Sequence, residues 1–177
     1  MPEGAVQITA IEGKAVLRLK SWLPEQTGGG TPVRLAGREL PSQVGGMLHG
    51  PIRVLCTGRG DWLIVSRDST HSSLDAHIAP DLSQQGLVLV DLTAGWTALE
   101  VSGPAAQELL SQGCGLDGHP GSFPAGRCAR TRFAQIPVVI AGLEAPTRFE
   151  LHVARSYFHY LRSWLTDAAA EFGDPLT

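Results

Sequence analysis

The fold is decided by the stretch from Phe149 to Phe172, which reads FELHVARSYFHYLRSWLTDAAAEF. Its first five residues alternate apolar and polar side chains, as expected of a half-buried strand. The apolar residues that follow recur every three or four positions, as they do on one face of a helix: Tyr157, Tyr160, Leu161, Trp164, Leu165, Ala168 and Phe172. The stretch therefore predicts a strand that leads into an amphipathic core helix, with Ser156 as the N-cap.

Similar signals recur upstream of this stretch. Alternation or short apolar runs predict strands at 15–20, 52–57, 61–65, 87–92, 96–101, 127–133 and 137–142. Ser102-Gly103-Pro104 predicts the start of a helix that Gly113 ends, and the spacing of Leu74, Ile78 and Leu82 predicts another short helix. These elements together predict an α+β fold with antiparallel sheets and helices packed on one face.

The segment 25–50 is rich in glycine and proline and includes Gly28-Gly29-Gly30. Such a composition is typical of an extended connection and not of regular structure throughout. We therefore predict two parts, an N-terminal strand with its Gly/Pro-rich connection over residues 1–50 and a main domain over residues 51–177.

Composition narrows the function classes. The 177 residues carry a net charge of -3 and hold no block of five like charges, so we expect no nucleic-acid partner. We also expect no membrane partner, because no apolar run approaches the roughly 20 residues that span a bilayer. The N-terminal residues carry no signal-peptide pattern, so the expected location is cytoplasmic.

Six histidines and three cysteines are present, without the spacing of a metal motif, so we expect no metal site. Cys114 and Cys128 flank His119, which would suit a cysteine nucleophile with a base. No family-type signature surrounds either cysteine, and buried structural thiols are common. The residues therefore predict no catalytic site, and a free-standing enzyme that uses Cys114 or Cys128 stays an alternative.

One long loop follows the predicted helix that Gly113 ends. It reads GCGLDGHPGSFPAGRCART over residues 113–131 and is rich in Gly and Pro, yet it contains the apolar Leu116 and Phe123. Disordered segments are poor in such residues, so an ordered loop specialised for contact is the better interpretation.

From residue 52 to residue 173 the chain resembles the gamma subunit of heterotetrameric sarcosine oxidase. The matching motifs include Asp61-Trp62-Leu63, Val90-Asp91-Leu92-Thr93, Ala98-Leu99-Glu100-Val101-Ser102-Gly103-Pro104 and Gly113-Cys114-Gly115-Leu116-Asp117. They continue with His119-Pro120, Phe123-Pro124, Gly126, Cys128-Ala129, Thr131, Arg155-Ser156-Tyr157, Tyr160-Leu161, Trp164-Leu165 and Asp167-Ala168-Ala169.

The resemblance implies a fold related to the folate-binding, ferredoxin-like β-α-β-β module of aminomethyltransferases. It also implies a non-catalytic subunit of a complex with alpha, beta and delta subunits. Such a complex oxidises the N-methyl group of sarcosine to give glycine, a one-carbon unit and hydrogen peroxide. FAD, FMN, NAD and tetrahydrofolate would then bind the partner subunits, and none of these cofactors would bind this chain.

In that setting the long loop becomes a docking surface. His119 and Phe123 would contact a partner, the latter as a buried anchor, and Arg127 and Arg130 would donate ion pairs to it. The two arginines could equally be solvated strand residues. Two other functions stay open, a folate-binding one-carbon module and the equivalent subunit of another N-methyl amino acid dehydrogenase.

Overall fold

The computed structural model describes residues 6–11, 15–22, 32–35, 37–66, 82, 85–143 and 147–173. Its contacts divide the chain into two compact units, residues 1–12 with 95–177 and residues 13–94. The short helix predicted from Leu74, Ile78 and Leu82 lies outside the described residues apart from Leu82. Of the predicted connection at 25–50, residues 25–31 and 36 also lie outside them, and the rest includes three short strands.

The first unit is built on a five-stranded antiparallel sheet. Its strands are β1 (Gln7–Ile11), β9 (Trp96–Ser102), β10 (Cys128–Phe133), β11 (Ile136–Gly142) and β12 (Arg148–Ala154), in the order β1-β9-β12-β11-β10. Two α-helices accompany the sheet, α1 (Ala106–Gly113) and α2 (Phe158–Ala169). Short 3-10 turns at Arg155–Tyr157 and Ala170–Phe172 flank α2.

The core of this unit lies between the helices and one face of the sheet. Leu109 of α1 and Leu161 and Leu165 of α2 are fully buried there. The strand residues in the same core alternate along their strands: Leu99, Val101, Val138, Ile140, Phe149, Leu151 and Val153. Both helices therefore pack on the same face of the sheet.

The second unit contains another five-stranded antiparallel sheet. Its strands are β2 (Ala15–Ser21), β5 (Met47–Leu48), β6 (Ile52–Gly58), β7 (Asp61–Ser66) and β8 (Leu87–Asp91), in the order β5-β6-β7-β2-β8. A two-stranded ribbon joins β3 (Arg34–Leu35) to β4 (Arg38–Glu39). The core of the unit includes Leu17, Leu19, Trp62 and Ile64.

The predicted α+β class with antiparallel sheets is confirmed. The boundary expected at residue 50 falls inside the second unit, between β5 and β6, which pair directly through Met47 with Leu55 and Leu48 with Val54. The unit boundaries lie instead near residues 12 and 94, because β1 pairs with β9 and β2 pairs with β7 and β8.

Both helices begin later than predicted, α1 beyond the expected start at Ser102 and α2 one residue beyond the expected N-cap Ser156. α1 begins after Ala105, and α2 begins after Tyr157; neither N-cap makes a side-chain hydrogen bond. The chain instead leaves each preceding strand through a short turn. The N–H of Ala106 donates to the carbonyl of Gly103, and the N–H of Phe158 donates to the carbonyl of Arg155. These backbone bonds satisfy donors that a capping side chain would otherwise satisfy.

Candidate functional site

The candidate site is the loop from Cys114 to Arg127, which joins α1 to β10 in the first unit. Two apolar side chains hold it against the core of that unit. Phe123 is 8% exposed and belongs to the core, and the partly buried Leu116 packs against it. At Gly142 of β11 a Cβ atom would lie 3.2 Å from Cε1 of Phe123, so glycine leaves room for this ring. Apolar contacts therefore hold the loop against the core of its own unit.

The backbone continues the sheet at the end of the loop. The N–H of Gly126 donates to the carbonyl of Gly142 at 3.0 Å, and the N–H of Gly142 donates to the carbonyl of Arg127 at 2.8 Å. These two bonds extend the pairing of β10 with β11 beyond Cys128. The exit of the loop thus has the rigidity of a strand.

The tip of the loop is a turn held by its own polar atoms. The N–H of His119 donates to Oδ1 of Asp117 at 3.0 Å, and the N–H of Gly121 donates to Nδ1 of His119 at 3.1 Å. The carbonyl of His119 accepts the N–H groups of Ser122 and Phe123, both at 2.8 Å. Because Nδ1 accepts, neutral His119 carries its proton on Nε2, where it can donate outward.

Asp117 is ionised in this turn. A hydrogen bond from the side chain of Ser122, followed by that from the N–H of His119, lowers the pKa of the Asp117 carboxyl below its ordinary value of 3.8. A carboxylate that accepts these bonds stabilises the turn and has no proton to donate at neutral pH. It serves to order the loop and not as a general acid.

The four residues predicted to contact a partner are placed differently from one another. His119 is exposed at the loop tip, and Arg130 is exposed on β10. Arg127 is half-buried at the loop exit, and the ring of Phe123 lies in the core of its own unit. The structure therefore presents His119 and Arg130 to the surroundings, while Phe123 fixes the loop to the sheet beneath it.

The cysteines near the loop have structural surroundings. Sγ of Cys114 lies 3.6 Å from Oγ1 of Thr131 and accepts the N–H of Leu116 at 3.3 Å. Cys128 is buried on β10. Among the hydrogen bonds of the described residues, none joins Cys114 to His119. The thiol of Cys56, in the other unit, has a pKa raised by burial.

Sequence reasoning missed a buried polar pair on β12. The side chains of Glu150 and His152 are 0% and 1% exposed, and Oε2 of the former lies 3.2 Å from Nε2 of the latter. Their alternation with apolar neighbours suggested a solvated face. The apolar run on the adjacent strand β11 was the available signal, since strands covered on both faces are apolar throughout.

The described part of the chain contains neither a metal-binding cluster nor a membrane-spanning helix. Within it, no three His, Cys, Asp or Glu side chains form a group that could hold a metal ion. None of its helices is long and apolar enough to cross a membrane.

Comparison with known proteins gives consistent results. A family model described as the sarcosine oxidase gamma subunit family matches residues 32–171. Sarcosine oxidase subunit gamma from Arthrobacter sp is 31% identical over 157 residues, covering 86% of this chain and 75% of that protein. The subunit gamma of Corynebacterium sp. (strain P-1) is 30% identical over 172 residues, covering 96% and 82%.

Two solved structures share the fold. One is heterotetrameric sarcosine oxidase from Corynebacterium sp. U-96, with a TM-score of 0.83 at 24% identity, covering all of this chain and 90% of the matched one. The other is glycine cleavage system aminomethyltransferase T from Bartonella henselae, with a TM-score of 0.66 at 11% identity. That match covers 92% of this chain and 45% of the other, and at such identities the likeness concerns the fold alone.

Proposed function

Because this chain belongs to the sarcosine oxidase gamma subunit family, we propose that it is a non-catalytic subunit of a heterotetrameric sarcosine oxidase-type flavoenzyme. The family match carries the proposal, since it runs from residue 32 to residue 171 and so includes the loop, β10 and most of both units. The chain would assemble with alpha, beta and delta subunits.

The chemistry of the complex takes place on those partners. Sarcosine loses its N-methyl group by oxidation, which gives glycine, while oxygen is reduced to hydrogen peroxide. The released one-carbon unit passes to tetrahydrofolate. FAD, FMN, NAD and tetrahydrofolate bind the partner subunits, and this chain contributes a folded surface to the assembly.

The geometry of the loop supports a docking role. Its polar tip is ordered by internal hydrogen bonds, so little conformational entropy remains to be lost when a partner binds. His119 offers an outward imidazole N–H, and Arg130 offers an exposed guanidinium. Arg127 lies at the loop exit, between His119 and Arg130 in the sequence. Phe123 holds the loop against the core, so that His119 and Arg130 keep their positions for contact with a partner.

Co-expression with the neighbouring genes, followed by pull-down on a tag carried by this chain, tests the proposal. A flavin-containing complex that oxidises sarcosine and elutes with this chain is the expected result. Purified alone, the chain should be colourless and release no peroxide with sarcosine. A flavin-bearing complex that assembles fully without this chain would refute the proposal.

A second candidate is a folate-binding one-carbon module. The likeness to aminomethyltransferase T favours it, although fold alone is weak evidence for a ligand. Calorimetric titration of the purified chain with tetrahydrofolate decides between the two. Saturable heat at micromolar tetrahydrofolate would favour the folate-binding module. The absence of such heat would exclude this candidate function.

A variant of the leading proposal concerns the substrate. The equivalent subunit of a dehydrogenase for another N-methyl amino acid would have the same docking role. Steady-state rates of the purified complex with sarcosine and with N-methylglutamate would separate these two assignments.

A further inference from the structure

β10 lies at the edge of its sheet, and within the described residues it pairs only with β11. Phe133 and Ile136 close the two-residue turn between the two strands, and the residues that close such a turn are hydrogen-bonded to each other. The same register places Thr131 and Ala129 in hydrogen-bonded pairs. The bond from Gly142 to the carbonyl of Arg127 agrees with this alternation.

The backbone of Arg130 and Arg132 therefore points to the outer edge. Each residue presents an N–H and a C=O in the plane of the sheet and away from β11. Such a row of groups is a template for another strand. The edge has the chemistry of strand addition, in which main-chain bonds give affinity and side chains give selectivity.

The side chains on this strand give the edge a positive charge. Arg130 and Arg132 are exposed and, being two residues apart, lie on the same face of the sheet. Their cross-strand neighbours on β11 are Val139 and Pro137, which offer no negative charge. Nη2 of Arg132 donates to the carbonyl of Gln135 at 2.9 Å, which fixes this guanidinium at the hairpin end of the strand.

We propose that the outer edge of β10 receives an extended, acidic segment of a partner subunit, which joins the sheet as a sixth strand. This inference rests on the proposed function and specifies how the partner is held. Carboxylates of the segment would lie opposite Arg130 and Arg132, where opposite charges on neighbouring strands stabilise the pairing. A second copy of this strand would bring arginines against arginines, so the charge favours a different polypeptide over self-pairing.

Charged edge strands also occur in proteins simply to discourage pairing, and amide hydrogen exchange separates the two roles. The isolated chain and the purified, co-expressed complex are compared by mass spectrometry with residue resolution. We expect the amides of Arg130 and Arg132 to exchange at least about tenfold more slowly in the complex, because both become hydrogen-bonded. Unchanged exchange at both amides in an intact complex would overturn the inference while leaving the proposed function in place. Failure of the complex to include the chain would instead refute the proposed function.

Variants provide a second measurement in the same complex. R130E/R132E reverses the charge of the edge, and R130P removes one outward N–H without removing a bond to β11. Each variant is expected to raise the dissociation constant of the complex by about tenfold or more, which corresponds to a loss of about 1.4 kcal/mol of binding free energy. R162E changes an exposed arginine on α2 and should leave assembly unchanged. If thermal unfolding shows that R130P is not folded, the charge-reversal variant decides. Assembly of R130E/R132E as tight as that of R162E would contradict the proposal.

Discussion

Gly113 lies so close to Phe133 that a Cβ atom at this position would be 2.5 Å from Cζ of the phenylalanine ring. The ring is fully buried and meets the indole of Trp164 edge to face, with the centroids 4.9 Å apart. The N–H of Ala134 also donates to the carbonyl of Gly113 at 2.8 Å. The end of α1, the tip of the β10–β11 hairpin and α2 therefore meet at one glycine.

G113A should destabilise the protein, because the packed ring has no space to move away from the new methyl group. Overpacking of this kind costs about 1–3 kcal/mol. In a chain of this size that loss corresponds to about 2–4 °C in Tm for each kcal/mol, measurable by calorimetry. G115A is the matched control, since a Cβ at Gly115 meets nothing within 4 Å. Equal Tm values for the two variants would contradict the close approach.

Q135G should stabilise the protein. Ala134 and Gln135 have φ angles of 44° and 73°, which suit a tight hairpin turn but are costly for residues with a Cβ. Relief of about 1–2 kcal/mol of steric cost at Gln135 exceeds the entropic cost of glycine, about 0.5–1 kcal/mol. Chemical denaturation should show a net gain of about 0.5–1 kcal/mol. In contrast, Q107G within α1 should lose about 1 kcal/mol. A loss of stability in Q135G as large as that in Q107G would contradict the turn geometry.

The elements of the first unit could be predicted from sequence because their periodicity is strong. The spacing from Leu161 to Leu165 in α2 follows directly from which side chains are buried, and the apolar residues of β12 alternate because they lie on the face that packs in the same core. The starts of the helices could not be predicted from sequence. The N–H groups of Ala106 and Phe158 donate to backbone carbonyls, and such bonds do not depend on the type of side chain. The strand β1 was missed because its residues are mostly exposed.

The candidate loop was predictable only as an ordered segment. An apolar residue such as Phe123 indicates burial, but the same pattern would arise whether it packs against its own sheet or against a partner. Its place in the core depends on the space that Gly142 leaves on a strand 19 residues later in the sequence. The internal bonds of Asp117 and His119 likewise depend on how the chain turns between them.

His152→Ala should destabilise the protein strongly. The variant leaves the buried carboxyl group of Glu150 without the imidazole that lies 3.2 Å from it. A buried polar group that loses its partner costs about 1–3 kcal/mol, and the cavity left by the imidazole adds to this loss, which urea unfolding can measure. His159→Ala removes an exposed histidine from α2 and should change stability by about 0.5 kcal/mol or less. A similarly small effect of His152→Ala would show that the pair contributes little.

Asp117→Ala should loosen the loop tip and remove its response to acid. The folded-state pKa of this carboxyl is depressed, so its stabilising contribution is present above the ordinary value of 3.8 and is lost as the pH falls through the lower folded value. In the wild type, the NMR signal of the His119 amide should therefore shift below about pH 4 as the bond to Oδ1 is lost. The alanine variant should show no such shift and faster amide exchange at His119 even at neutral pH. Asp117→Asn is the informative control, because its side-chain oxygen can still accept the N–H of His119 but carries no titratable charge. It should keep the slow exchange of the wild type and lose the acid transition. An unchanged acid transition in both variants would assign that titration to another group.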